Sequence, residues 1–219
     1  MILSNKINSR KKDKMFYNNE EETEEPKSNE EEGIAFGTEE EPSSLVGLVG
    51  DITEETTQAI SLMLLTLNGG SILNDVSSEE KLDDIEFFIS SGGGSVNDMF
   101  AIYDLMSLVK NNRDIATFGY GKVSSAAVLL LAAGTKGKRY IAKHARLMLH
   151  HCSSSNSGTF PTVRTNFNEL KKVEDMMVQL LVDHSNLSAG EIYNILSQNV
   201  DEYFSAEEAL EMGLVDKII

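Results

Sequence analysis

The sequence predicts an α/β protein with crossover connections, and three observations carry that prediction. Apolar, partly β-branched segments alternate with segments of helical periodicity from residue 45 onward. One of the extended segments, 115–119, runs through Gly119-Tyr120-Gly121 into residues 126–133, which are apolar all round and so read as a buried helix. Another, 85–89, runs into Ser91-Gly92-Gly93-Gly94, an open turn whose amides can face a ligand, before the next helix begins.

The chain has 219 residues, 41% hydrophobic, with a net charge of −16 that is unevenly spread. Residues 1–42 set twelve acidic against six basic residues and contain one apolar island, Ile34-Ala35-Phe36, so this segment is expected to be an acidic disordered tail. Residues 43–219 are expected to form the folded domain. Such acidity, with no basic stripe to neutralise phosphates, argues against a general nucleic-acid or anionic-membrane surface. The single cysteine, Cys152, excludes an intrachain disulfide framework. No apolar run reaches a membrane-spanning length, and Met1-Ile2-Leu3 is too short for a signal-peptide core, so a cytoplasmic protein is expected.

The elements follow in order. Residues 45–49 between Pro42 and Gly50 suit a strand. Thr53 caps a helix whose Ile60, Met63, Leu64 and Leu67 recur at helical spacing and which ends at Asn68-Gly69. Residues 71–84 read as a loop with a helical piece, 85–89 as a strand and 99–109 as a helix. After the strand 115–119 and the buried helix come two short strands, 138–142 and 145–149, ending at His150-His151. A long amphipathic helix over 163–187 places Phe167, Leu170, Val173, Met177, Leu180 and Leu181 on one side. A shorter helix over 191–196, an extended link over 199–204 and a helix over 206–212 capped by Ser205 complete the chain.

Ser125 sits at the mouth of the buried helix, where free amides and the positive end of the helix dipole favour developing negative charge. That is an environment for an acyl-transfer nucleophile; a plain helix cap at Ser124 or Ser125 is the alternative. Serine acyl transfer also needs a histidine to take the hydroxyl proton, a carboxylate to orient that histidine, and donors for an oxyanion. His150, Asp201 and the glycine turn can supply these parts. Spacing alone leaves His144, His151, His184 and many acids as competitors.

Residues 45–219 resemble the proteolytic subunit of the ATP-dependent Clp protease, a family of serine peptidases with a crotonase-like fold of repeated strand-strand-helix units. The resemblance lies in Ile89-Ser90-Ser91-Gly92-Gly93-Gly94, Ile102-Tyr103-Asp104, Gly121 to Ala126, Ala132-Ala133-Gly134-Thr135-Lys136-Gly137-Lys138-Arg139-Tyr140, Arg146-Leu147-Met148-Leu149-His150 and Phe204-Ser205-Ala206-Glu207-Glu208-Ala209, with Gly213-Leu214-Val215-Asp216. It implies Ser125 as nucleophile, His150 as general base, Asp201 as its orienting carboxylate, and Gly94 and Ala126 as the oxyanion hole. His151 is then expected on the other face of its strand. The resemblance further implies unfolded polypeptide substrates, rings of seven subunits with stacking in pairs as a further step, an AAA+ ATPase that feeds them, and neither cofactor nor metal.

Several positions depart from the family pattern. Gly92 replaces a proline, Ala126 a methionine, and His151-Cys152 the usual Gln-Pro; Val200 stands where an arginine often precedes the aspartate. The Tyr-Ser-Arg-Leu-Leu signature of the family's axial segment is absent. Three rival readings remain beside the housekeeping peptidase. A virus-encoded scaffold-processing protease would share the fold, a non-catalytic structural subunit would be expected to lose a triad member, and an acyl-CoA enzyme of the crotonase fold would have no use for the triad.

Overall fold

The computed structural model describes residues 44–69, 83–198 and 200–219. The expected acidic tail, residues 71–82 of the expected loop and Asn199 of the expected link lie outside the described residues.

Strands β1 (Leu45–Val49), β2 (Ile85–Ser91), β3 (Ile115–Ser124), β4 (Arg139–Ile141) and β7 (Lys217–Ile218) lie side by side in that order, and each pairs with its neighbours in parallel. Between them run α1 (Glu54–Leu67), α2 (Val96–Val109), α3 (Ala126–Ala132), α4 (Phe160–His184), α5 (Ala189–Ser197) and α6 (Ala206–Glu211), which provide the crossovers that parallel pairing requires. Alternation decides what each strand face does. Val46, Leu48, Ile85, Phe87 and Ile89 are buried, whereas the opposite face carries a ladder in which Phe88 stacks on Phe118 at 4.7 Å and Phe118 on Tyr140 at 4.8 Å.

β3 departs from expectation in a way that builds the site. It does not end at Gly119 but continues to Ser124, and the pairing with β2 jumps from Ile89↔Gly119 to Ser91↔Val123 across a bulge. Gly121 absorbs the distortion at φ 63°. The strand continues because its two halves have different partners: Thr117 to Gly119 pair with β4, and Lys122 to Ser124 pair with β5 (Arg146–Leu149). β5 in turn pairs antiparallel with β6 (Glu202–Phe204), so the expected extended link is partly a strand.

The helix boundaries shift for local reasons. Ser95 Oγ accepts from the Asp98 amide at 3.4 Å, which starts α2 at Val96 rather than at 99. Pro161 in the first turn lets α4 start at Phe160, and the helix ends at His184, not at 187. Only Met177, Val178 and Leu181 of α4 are buried; Phe167, expected on its apolar side, is 63% exposed.

α3 is buried along its whole length, as an all-apolar helix must be. Its last carbonyls are met by side chains: Thr117 Oγ1 donates to Leu131 O at 2.8 Å, Arg139 Nη1 to Ala132 O at 3.3 Å and Lys110 Nζ to Ala133 O at 2.7 Å. Arg139 is held by both carboxylate oxygens of Asp216, at 2.8 and 2.6 Å, and also donates to His184 O at 2.6 Å. One guanidinium therefore joins β4, the end of α4, Asp216 beside β7 and the helix that follows Ser125.

Candidate active site

Ser125 lies between the end of β3 and the start of α3 and is the only non-glycine residue with positive φ among the described residues, at φ 55° and ψ −127°. Such a backbone costs about 1–3 kcal/mol and persists only where its surroundings impose it. Here the Ser125 amide donates to Met148 O of β5 at 2.7 Å, and its carbonyl accepts from Val128 N at 3.0 Å. The hydroxyl makes no helix-cap bond; it lies 2.9 Å from His150 Nε2. Ser124, one residue earlier, is buried in β3 opposite Met148.

His150 follows directly on β5, the strand that holds the Ser125 amide. Its Nδ1 is 3.3 Å from Asp201 Oδ1, and Asp201 immediately precedes β6, which pairs with β5. The short antiparallel pair thus brings residues 150 and 201 together across 51 positions of sequence. Tyr203 reaches the other Asp201 oxygen at 3.5 Å. A hydroxyl, an imidazole and a carboxylate in that order can move a proton off the hydroxyl and stabilise the resulting imidazolium.

The glycine turn closes the arrangement. Gly93 N donates to Ser91 Oγ at 3.1 Å, Ile52 N to Gly93 O at 2.8 Å and Ser95 N to Ile52 O at 3.0 Å. A Cβ on Gly93 would stand 2.8 Å from Ser125 Cβ and 3.3 Å from Ala126 N, and one on Gly94, at φ 148°, would stand 2.8 Å from Ile52 N. Only glycine allows the turn to lie this close to the serine. The amides of Gly94 and Ala126 make no hydrogen bond within the described residues and are free to donate.

The competing histidines are engaged elsewhere. His151 Nδ1 is 2.7 Å from Glu174 Oε1 on α4, His184 Nε2 is 2.9 Å from the Tyr103 hydroxyl, and His144 is exposed in the turn between β4 and β5. Cys152, beside the site, packs its sulfur 3.3 Å from Met177 Sδ, and burial, then Glu174, push its thiol above the usual range, which disfavours a thiolate. Sequence reasoning placed Ser91 and Met148 in family-like stretches but gave neither an anchoring role, and it missed Ile52 altogether, since a backbone contact between distant segments leaves no local pattern. It also missed that Asn166, Glu169, Leu170 and Val173 line a cleft with Ser125 and His150. Their i, i+3, i+4, i+7 spacing was the available signal, and it reads equally well as a core face.

Comparison with known proteins agrees with this architecture. The sequence profile of the Clp protease family matches residues 43–219. The chain is similar to proteins named ATP-dependent Clp protease proteolytic subunit 2. It is 38% identical to that of Bifidobacterium longum over 144 residues, covering 66% of this chain and 68% of the relative. Against that of Cutibacterium acnes it is 34% identical over 174 residues, covering 80% and 76%, and against that of Corynebacterium efficiens 32% over 185 residues, covering 81% and 91%. The chain belongs to the Clp protease family, whose members are serine-type endopeptidases, and its mostly parallel α/β sheet agrees with the fold of that family. These relatives favour neither a viral scaffold-processing role nor a non-catalytic subunit, and an acyl-CoA enzyme finds no support among them. No helix among the described residues is long and apolar enough to cross a membrane.

Proposed function

We propose that residues 43–219 form the proteolytic subunit of a cytoplasmic compartmental protease that hydrolyses unfolded polypeptide delivered by an AAA+ ATPase. The observation that carries this reading is the 2.9 Å contact of Ser125 Oγ with His150 Nε2, backed by Asp201 at 3.3 Å from His150 Nδ1. Ser125 Oγ attacks the peptide carbonyl while its proton passes to His150 Nε2. The amides of Gly94 and Ala126 donate to the oxyanion of the tetrahedral intermediate. Collapse breaks the C–N bond, His150 returns the proton to the leaving amine, and water then hydrolyses the acyl-enzyme by the same route.

Assembly into rings, seven subunits as the family resemblance implies, is supported by apolar surface that one subunit leaves uncovered. Phe160 is 77% and Phe167 63% exposed on the first turns of α4, and the aromatic ladder of β2, β3 and β4 is only half-buried. Val200, 60% exposed, stands where the family often has the arginine that helps pair rings, which weighs against the stacking of two rings.

Labelling by a fluorophosphonate tests the chemistry. The wild type is expected to be labelled, Ser125→Ala to lose the label and peptide hydrolysis by a factor on the order of 10⁴ to 10⁶, and Ser124→Ala to keep both. Hydrolysis retained in Ser125→Ala would sink the assignment. Mass measurement at several salt concentrations tests the assembly, and a stable monomer at micromolar concentration contradicts it.

A further inference from the structure

We infer that the cleft beside Ser125 selects a long cationic side chain, lysine or arginine, on the residue that donates the scissile carbonyl, and that Glu169 is the residue that selects it. This rests on the peptidase reading above and concerns which peptides the site prefers.

The cleft has a volume of about 540 Å³ and opens directly onto Ser125 and His150. Its lining comes from the first turn of α2, with Val96 and Asn97, from a single face of α4, with Asn166, Glu169, Leu170 and Val173, and from the segment after His150. The lining is chemically mixed. Val96, Leu170 and Val173 offer apolar surface that suits a run of methylenes, while Asn97, Asn166 and Glu169, with Ser153, Ser154 and Asn156, offer polar partners in the same cleft. A side chain that is apolar along its stem and polar at its tip satisfies both parts, as lysine and arginine do when they extend along apolar surface.

Charge chooses between a neutral and a cationic tip. Among the described residues lining the cleft, Glu169 is the only carboxylate, and no lysine or arginine lines it. Lys172 approaches Glu169 at 3.3 Å from outside the lining, but the two side chains are 71% and 66% exposed, so this pair is screened and easily exchanged for a substrate cation. The N-terminus of α2 adds little opposing field, since Ser95 caps it and Asp98 lies in its first turn. Removing the Asn166 amide or the Leu170 stem contact would weaken binding of any long side chain; only Glu169 distinguishes charge.

Three peptides that differ at that residue alone, with lysine, its neutral analogue norleucine, or glutamate, test the inference on the full chain. The kcat/KM of the wild type is expected to rank lysine above norleucine above glutamate. The lysine to norleucine ratio should be about two- to fivefold, the range of an exposed ion pair, and should shrink at 1 M salt. In Glu169→Gln the ratio should approach one, and in Glu169→Lys it should invert. Peptides cleaved with the same ratio in wild type and Glu169→Gln overturn the role of Glu169 and leave the peptidase intact. A wild type that cleaves none of the three and takes no fluorophosphonate overturns the peptidase reading and this one with it.

Discussion

The Ser125 amide donates a 2.7 Å hydrogen bond to the carbonyl of Met148, two residues before His150 on the same stretch of chain. One strand therefore both holds the backbone of the serine and delivers the imidazole to its hydroxyl, so the 2.9 Å contact between Oγ and Nε2 does not depend on any long flexible connection. The strained backbone at φ 55° is a consequence of that attachment.

Ser125→Gly and Ser125→Ala should both be inactive but should differ in stability. Alanine keeps the unfavourable backbone and glycine relieves it, so the glycine variant is expected to be more stable by about 1 kcal/mol, after its larger unfolded-state entropy is set against the strain. Denaturant titration of the two variants reads the difference, and equal midpoints would show that the positive φ stores no strain.

Gly94→Ala should cost activity far more than fold. Its Cβ would stand 2.8 Å from Ile52 N in a backbone conformation that side chains rarely adopt, so the turn must move away from Ser125. Loss of one oxyanion donor is worth on the order of 10²-fold or more in kcat. Peptide hydrolysis within a few-fold of wild type would contradict the donor role.

The Tyr103 hydroxyl, 2.9 Å from His184 Nε2, joins α2 to the end of α4, and burial, then the charges of Lys110 and Arg139, push the imidazole below its ordinary value. In the folded chain His184 stays neutral where the unfolded chain already binds a proton. Stability should therefore fall as pH drops below about 6.5, the unperturbed histidine value, and level off only once the folded group also protonates. Thermal melts from pH 8 to 5 should show a shallower decline for His184→Gln than for wild type. Parallel declines would remove His184 as the cause.

Asp216→Asn should destabilise by about 3–5 kcal/mol, because it leaves Arg139, whose side chain is 5% exposed, without its counter-charge. Burial pushes the Asp216 carboxyl up, but the Arg139 hydrogen bonds and charge, with the Arg139 and Gly137 amides, outweigh it and hold the group below the usual carboxylate range. Its stabilisation is present at neutral pH and is lost as pH falls through the folded value. The denaturation midpoint of the variant checks the magnitude, and a cost under 1 kcal/mol would mean that water replaces the carboxylate.

The order of strands and helices, the burial of α3 and the glycine turn before α2 were legible in the sequence, because each follows from local periodicity or from a residue type with one strong backbone preference. Boundaries were less so. β3 was expected to stop at Gly119, but a strand ends where its hydrogen-bonding partners end, and the partner of its second half, β5, lies more than twenty residues further on. β7 went unread because two residues at a sheet edge carry no periodicity.

For the site, the sequence by itself determined which residue types were present: one small hydroxyl at the mouth of an apolar helix, histidines at the end of a strand, and an acid within a short extended segment. From residues alone it left four histidines and many acids in competition, and family resemblance was needed to choose among them. Tertiary structure alone decided that His150 faces Ser125 while His151 turns to Glu174, and that Asp201 lies within 3.3 Å of His150. The physical reason is that adjacent residues at a strand end share composition and periodicity but not direction. Direction is set by the β5–β6 pairing and by the bulge in β3, which are contacts between segments far apart in the chain.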